Sequence, residues 1–168
     1  MRLICAILIM TFFSLFGGGC NSKQSPDFAF IDGYLLTWDR FAQGANDRMP
    51  RLGKDTPKFE RHLADALSRN DSRAPSRVVF YAVVQVGGFI PIDSPVGQAF
   101  HNRFGNAAPI FHDKEDGSQS LFAGDLYFWW EAHKSEYDAF PLYEEWRQRP
   151  FAKNVAIKMY EEAAKNHK

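Results

Sequence analysis

Cysteine is nearly missing from this chain. There are 2 in 168 residues, Cys5 and Cys20, and none after position 20. From residue 21 onward that excludes disulfides, thiolate metal ligands and a cysteine nucleophile, so stability must come from the core. Net charge is missing too, with 20 Lys and Arg against 20 Asp and Glu. Without a basic field to draw the protein onto a polyanion, no nucleic-acid partner is expected. The longest apolar run, "LICAILIMTFFSLF" over 3–16, is shorter than the about 20 residues a membrane span takes. Catalytic signatures are equally scarce: no G-x-S-x-G elbow, no G-x-x-x-x-G-K-[ST] phosphate loop, no H-E-x-x-H pair and no dinucleotide fingerprint. No cofactor is expected.

What the chain does have is apolar mass. It is 45% hydrophobic and 24% charged, with 16 Phe, 6 Tyr and 4 Trp. That composition suits one globular domain with an aromatic-rich core, expected over 27–168. A domain of this size buries roughly 68 to 70% of its unfolded surface, enough to stand without disulfides.

The first twenty residues form a unit of their own. Met1 and Arg2 make a short positive start, the apolar run follows, and Gly17, Gly18 and Gly19 lead to Cys20. Positive, apolar and small-residue regions in that order are what a signal peptidase reads. The segment resembles the signal peptide of bacterial lipoproteins, whose lipobox ends in a small residue before the cysteine that becomes the lipidated N-terminus. The resemblance implies an acyl chain such as palmitate on Cys20, removal of residues 1–20, and a polar tether over 21–26. It implies a membrane-anchored protein of the cell envelope. Gly17 stands where the lipobox usually has Leu, and the same glycines also suit an ordinary secretory cut that releases a soluble periplasmic or secreted protein.

Beyond the tether the apolar spacing alternates between two periods. Phe28, Ile31, Leu35, Trp38 and Ala42 recur at helical spacing up to a stop at Gly44. After a loop, Thr56 is expected to cap, and Pro57 to open, a helix with Phe59, Leu63, Ala66 and Leu67 inward. "RVVFYAVVQV" at 77–86, dense in β-branched and aromatic residues, reads as a central strand with both faces apolar. Gly87 and Gly88 bend the chain, and Ser94 and Pro95 open a short helix through Phe104. Ile110 and Phe111, a turn holding Asp116 and Gly117, and Leu121 and Phe122 read as a hairpin. Three helical stretches close the chain: one capped by Asp125, one with Leu142, Tyr143 and Trp146 inward, and one begun by Pro150 with Phe151, Val155, Met159 and Ala163 inward. The expected class is α+β, a small, mostly antiparallel sheet with several packed helices. The alternative is a mainly α domain with one β-hairpin.

Four features invite a functional reading. "QVGGFIPIDSP" has the strand-to-helix context of a phosphate loop but lacks its glycine spacing and its lysine, so a turn is expected. "HDKEDG" gathers His112, Asp113, Glu115 and Asp116, yet Lys114 occupies an alternate position where a calcium loop needs an acid; a polar turn and no metal site are expected. His101 and His112 could converge with Asp125 or Glu131 as an acid-base site, since an imidazole titrates near neutrality and a carboxylate can orient it, and an enzyme would use His101, His112, Asp113 and Glu131. That makes an exported hydrolase or metal-dependent enzyme the alternative to a binding or docking role in the envelope. Finally, in "DLYFWWEAHKSEY" the residues Leu126, Trp129, Trp130, His133 and Tyr137 share one helical stripe, with His133 at the core edge and Phe128 pointing away. Phe128 is therefore the candidate contact for a protein partner, with Tyr127 between it and Trp130 in burial.

Charge is uneven along the chain. From Arg48 to Arg77 there are eight Lys or Arg against four acids, and from Asp113 to Glu145 nine acids against two lysines. Solvated faces account for both stretches; a basic side turned to anionic lipid would suit an anchored protein.

Overall fold

A computed structural model describes residues 26–42, 55–84 and 88–148. The leader, Cys20, nearly all of the tether, Gly44, Gly87 and the last expected helix lie outside the described residues. Six helices and a three-stranded antiparallel sheet make up the described chain, in the order α1 (Phe28–Ala42), α2 (Thr56–Ser68), α3 (Ala74–Val84), β1 (Phe89–Pro91), α4 (Pro95–Phe104), β2 (Ile110–His112), β3 (Gln119–Phe122), α5 (Ala123–His133) and α6 (Pro141–Arg147). The class is α+β, as the sequence implies. Among the described residues no helix is long and apolar enough to cross a membrane.

One element has the opposite secondary structure to that expected. The stretch read as a strand from Arg77 is the helix α3, and every residue from Ala74 to Ala82 is buried. It packs against α1, α2, α5 and α6. A helix enclosed on all sides is apolar around its whole circumference, so it shows no 3.6-residue stripe, and its Val and Phe side chains mimic a buried strand. Tertiary burial overrides their weak β-preference.

Arg77 is the exception on α3, only 7% exposed. Its guanidinium donates to both Asp32 oxygens on α1, at 2.5 and 2.8 Å, and to the Arg73 carbonyl at 3.0 Å. It also lies over the Phe28 and Phe140 rings. The planar fork and the aromatic stacking meet the demands of a buried cation that a lysine could not satisfy in the same way.

Two starts differ from expectation, one by a single residue and one by three. Thr56 is the first residue of α2 and Asp55 holds the cap position without a side-chain cap bond. Helix α5 begins at Ala123 with Phe122 at its cap, which leaves Asp125 in the first turn, where an acid still favours the positive end of the helix dipole. At α4 the expectation holds: the Ser94 hydroxyl accepts from the Gly97 amide at 3.1 Å and donates to the Pro91 carbonyl at 2.7 Å, and Pro95 follows.

The strand order is β1-β3-β2, so the last strand is central. Phe89, Ile90 and Pro91 pair with Phe122, Leu121 and Ser120, while Ile110, Phe111 and His112 pair with Leu121, Ser120 and Gln119. Strand side chains alternate between faces. Ile90 and Leu121, both fully buried, and Ile110 point into the core, and Phe89, Pro91, Phe111, Ser120 and Phe122 form the outer face. Strand β1 is too short to announce itself in sequence. Its place is set by α4, which presses Gly97 against its end: a Cβ there would stand 2.1 Å from the Pro91 carbonyl oxygen and 2.8 Å from the Ile92 Cα.

Candidate functional site

The four residues of the enzyme reading are not assembled. His101 sits on α4, half-buried, with its Nδ1 enclosed and unpartnered. His112 is exposed at the end of β2, and Asp113 begins the hairpin turn. Glu131, on α5, forms ion pairs with Lys134 at 2.9 Å and with the buried Arg147. No hydrogen bond or ion pair joins any two of the four, and no group of three or more His, Cys, Asp or Glu among the described residues is arranged to hold a metal ion.

The "HDKEDG" carboxylates serve the turn. Asp113 Oδ1 accepts from the Glu115 amide and Asp116 Oδ1 from the Ser118 amide, both at 2.8 Å. The Asp113 amide donates to the Ser118 carbonyl at 2.9 Å, and Gly117 has the positive φ of 72° that closes such a turn. Side chains that satisfy backbone donors two residues on explain the acid-rich composition without a cation. Hydrogen bonding from Ser118 holds the Asp116 carboxyl below the usual carboxylate range.

Helix α5 carries the expected stripe, with one change. Leu126, Trp129 and Trp130 are buried, and His133 lies at the edge with its Nδ1 at 2.7 Å from the Trp129 carbonyl. Tyr137 is past the helix, in extended backbone after a 3-10 turn, yet its ring still stacks on Trp129. Phe128 is 42% exposed, against 0% for Trp130. Tyr127, at 6%, joins the buried residues and does not fall midway. At the far end of the helix Trp130 Nε1 donates to Glu144 at 2.7 Å, and burial pushes the neighbouring Tyr143 phenol far above its ordinary pKa.

The site that stands out lies elsewhere, on the outer face of the sheet. Phe89 stacks on Phe122 at 4.7 Å between centroids, and Phe111 closes the trio at 5.4 Å from Phe89 and 5.7 Å from Phe122. Phe122 is buried, though apart from the main core, whereas Phe89 stays 39% exposed. Beside the rings runs a groove of about 450 Å³ floored by Phe89, Pro91, Phe111 and Ser120 and edged by Asp93, Asp113, Ser118 and Gln119. All three strands contribute, and the α4 cap at Ser94 and the hairpin turn hold its two acidic edges in place. An apolar floor with a few polar groups at the edge is the usual make-up of a small-ligand pocket, and the volume is within the range such pockets have.

Of the groove residues only Asp113 stands out as a candidate in the sequence; the aromatic ones do not. The missing signal is the outward position of Phe89, which depends on a three-residue strand paired with a partner thirty residues on. Compared with protein-family models, with curated proteins and with solved structures, the chain finds no match.

Proposed function

We propose that this protein is exported, held in the bacterial cell envelope by a lipid on Cys20, and binds a small ligand in the groove on the outer face of its sheet. The observation that carries the binding role is the aromatic trio Phe89, Phe111 and Phe122 with an adjoining groove of about 450 Å³. Phe89, left 39% exposed beside a concavity, is unfavourable for a domain with nothing to bind, since exposed apolar surface invites association. The anchor rests on the sequence of residues 1–20. A binding role in preference to hydrolysis is supported by Glu131, whose carboxylate is taken up by Arg147 and Lys134, and by the absence of any bond linking it to His101 or His112.

The two halves are tested separately. The protein expressed with its own leader should partition into detergent, and Cys20→Ser should leave an unprocessed, unacylated chain; a wild-type product free in the aqueous phase removes the anchor. For binding, a screen of small aromatic and aliphatic compounds followed by amide chemical shifts should perturb 89–93 and 118–120, and Phe89→Ser with Phe111→Ser should abolish those shifts. Compounds that perturb only α5 near Phe128 would move the site there.

A further inference from the structure

We infer that the ligand of the sheet-face groove is a small organic cation with an apolar body, an amine or a quaternary ammonium; this rests on the groove being the binding site. The polar groups along it carry one sign of charge. Asp93 and Asp113 line it, with Ser118, Ser120 and Gln119, and among the described residues no Lys, Arg or His does.

Several carboxylates of the helical body are already neutralised. Asp32 is engaged by Arg77, Asp71 by Arg73, and Glu131 by Arg147 and Lys134. Among the described residues Asp93 has no ion pair or side-chain hydrogen bond, and Asp113 uses Oδ1 for the Glu115 amide and leaves Oδ2 without a partner. Two unneutralised carboxylates near an apolar floor form a field that attracts a cation and repels an anion. The exposed Phe89 ring strengthens the same choice, because the face of a phenyl ring is the negative part of its quadrupole and attracts an ammonium group. A ligand that is wholly apolar would leave both acids facing it without compensation, and an anion would meet repulsion from each. A cavity of about 450 Å³ suits a small molecule and not a folded partner.

The test uses 2-phenylethylammonium and its neutral counterpart 2-phenylethanol as probes, titrated into the isotopically labelled protein and followed by the amide shifts of 89–93 and 118–120. The cation should bind at least tenfold more tightly than the alcohol. Asp93→Asn with Asp113→Asn should remove that advantage while leaving the alcohol unchanged. Asn at 113 still accepts the Glu115 amide, so the turn survives; Asp93→Asn alone, at a side chain without partners, should give part of the same loss. Equal affinity of the two probes, or a cation advantage that persists in the double variant, would overturn the charge inference and leave the groove as a binding site. No shift with either probe at those amides would overturn both.

Discussion

At the scale of single residues, two glycines in helices make opposite demands. Gly97 is where α4 meets the end of β1, and any Cβ would strike backbone atoms of Pro91 and Ile92 that no side-chain rotation can move. Gly97→Ala should therefore destabilise by about 1 to 3 kcal/mol or more, as overpacking does, and it should also spread the groove edge at Asp93. Gly33 on α1 has open space around its Cβ position, so Gly33→Ala should stabilise by roughly 0.5 to 1 kcal/mol through helix propensity and the stiffer unfolded chain. Urea denaturation of both variants checks the pair, and a loss in each would mean α1 is constrained in a way its surroundings do not explain. Much of this residue-level chemistry was legible in the sequence. Ser94 with Pro95 reads as a cap, and Asp116 with Gly117 as a turn, because such signals act over two to four neighbouring residues. The clash at Gly97 was not legible, since it depends on a backbone brought close by the fold.

At the scale of elements, α5 gives the clearest prediction. Trp130 is fully buried and hydrogen-bonded to Glu144, and Phe128 is 42% exposed. Trp130→Ala should cost about 3 to 5 kcal/mol, and Phe128→Ser on the order of 1 kcal/mol or less. Chemical denaturation decides; equal losses would place Phe128 in the core of the folded protein. Helices α1, α2 and α4 were legible because each buries one stripe and shows solvent the other, which is the pattern that periodicity measures. Helix α3 misleads for the opposite reason, having no solvent side from Ala74 to Ala82. Strand β1 escapes because three residues carry no period at all. The aromatic face of the groove therefore stayed hidden, although the hairpin that forms its other side, Ile110 to Phe122, was readable.

At the scale of the whole molecule, acid should weaken the fold through the link between α2 and α3. Asp71 accepts from the Arg73 side chain at 3.0 and 2.8 Å and from its amide at 3.0 Å. Hydrogen bonding by Arg73 holds its carboxyl below the usual carboxylate range. A carboxyl whose pKa is depressed by folding stabilises the native state above its unfolded value, about 4, and loses that contribution as the pH falls through the lower folded value. Thermal midpoints should thus decline below about pH 4, and Asp71→Asn should flatten part of that decline while lowering stability at neutral pH. An unchanged acid profile in the variant would assign the loss to other carboxylates.

The strand order carries a consequence for time. The central strand β3 is the last in sequence, and β1 reaches it only across residues 92–118, after α4 and β2 are in place. Closing so long a loop is entropically costly before any pairing rewards it. The hairpin of β2 and β3 is local and closes early, whereas Phe89 meets Phe122 late. During refolding the groove is therefore completed after the hairpin, and in the native protein β1 is an edge strand of only three residues, held by few backbone bonds. Amide exchange at Ile90 and Ile92 should then be faster than at Leu63 and Val79, and a bound ligand should slow it by holding both strands of that junction together.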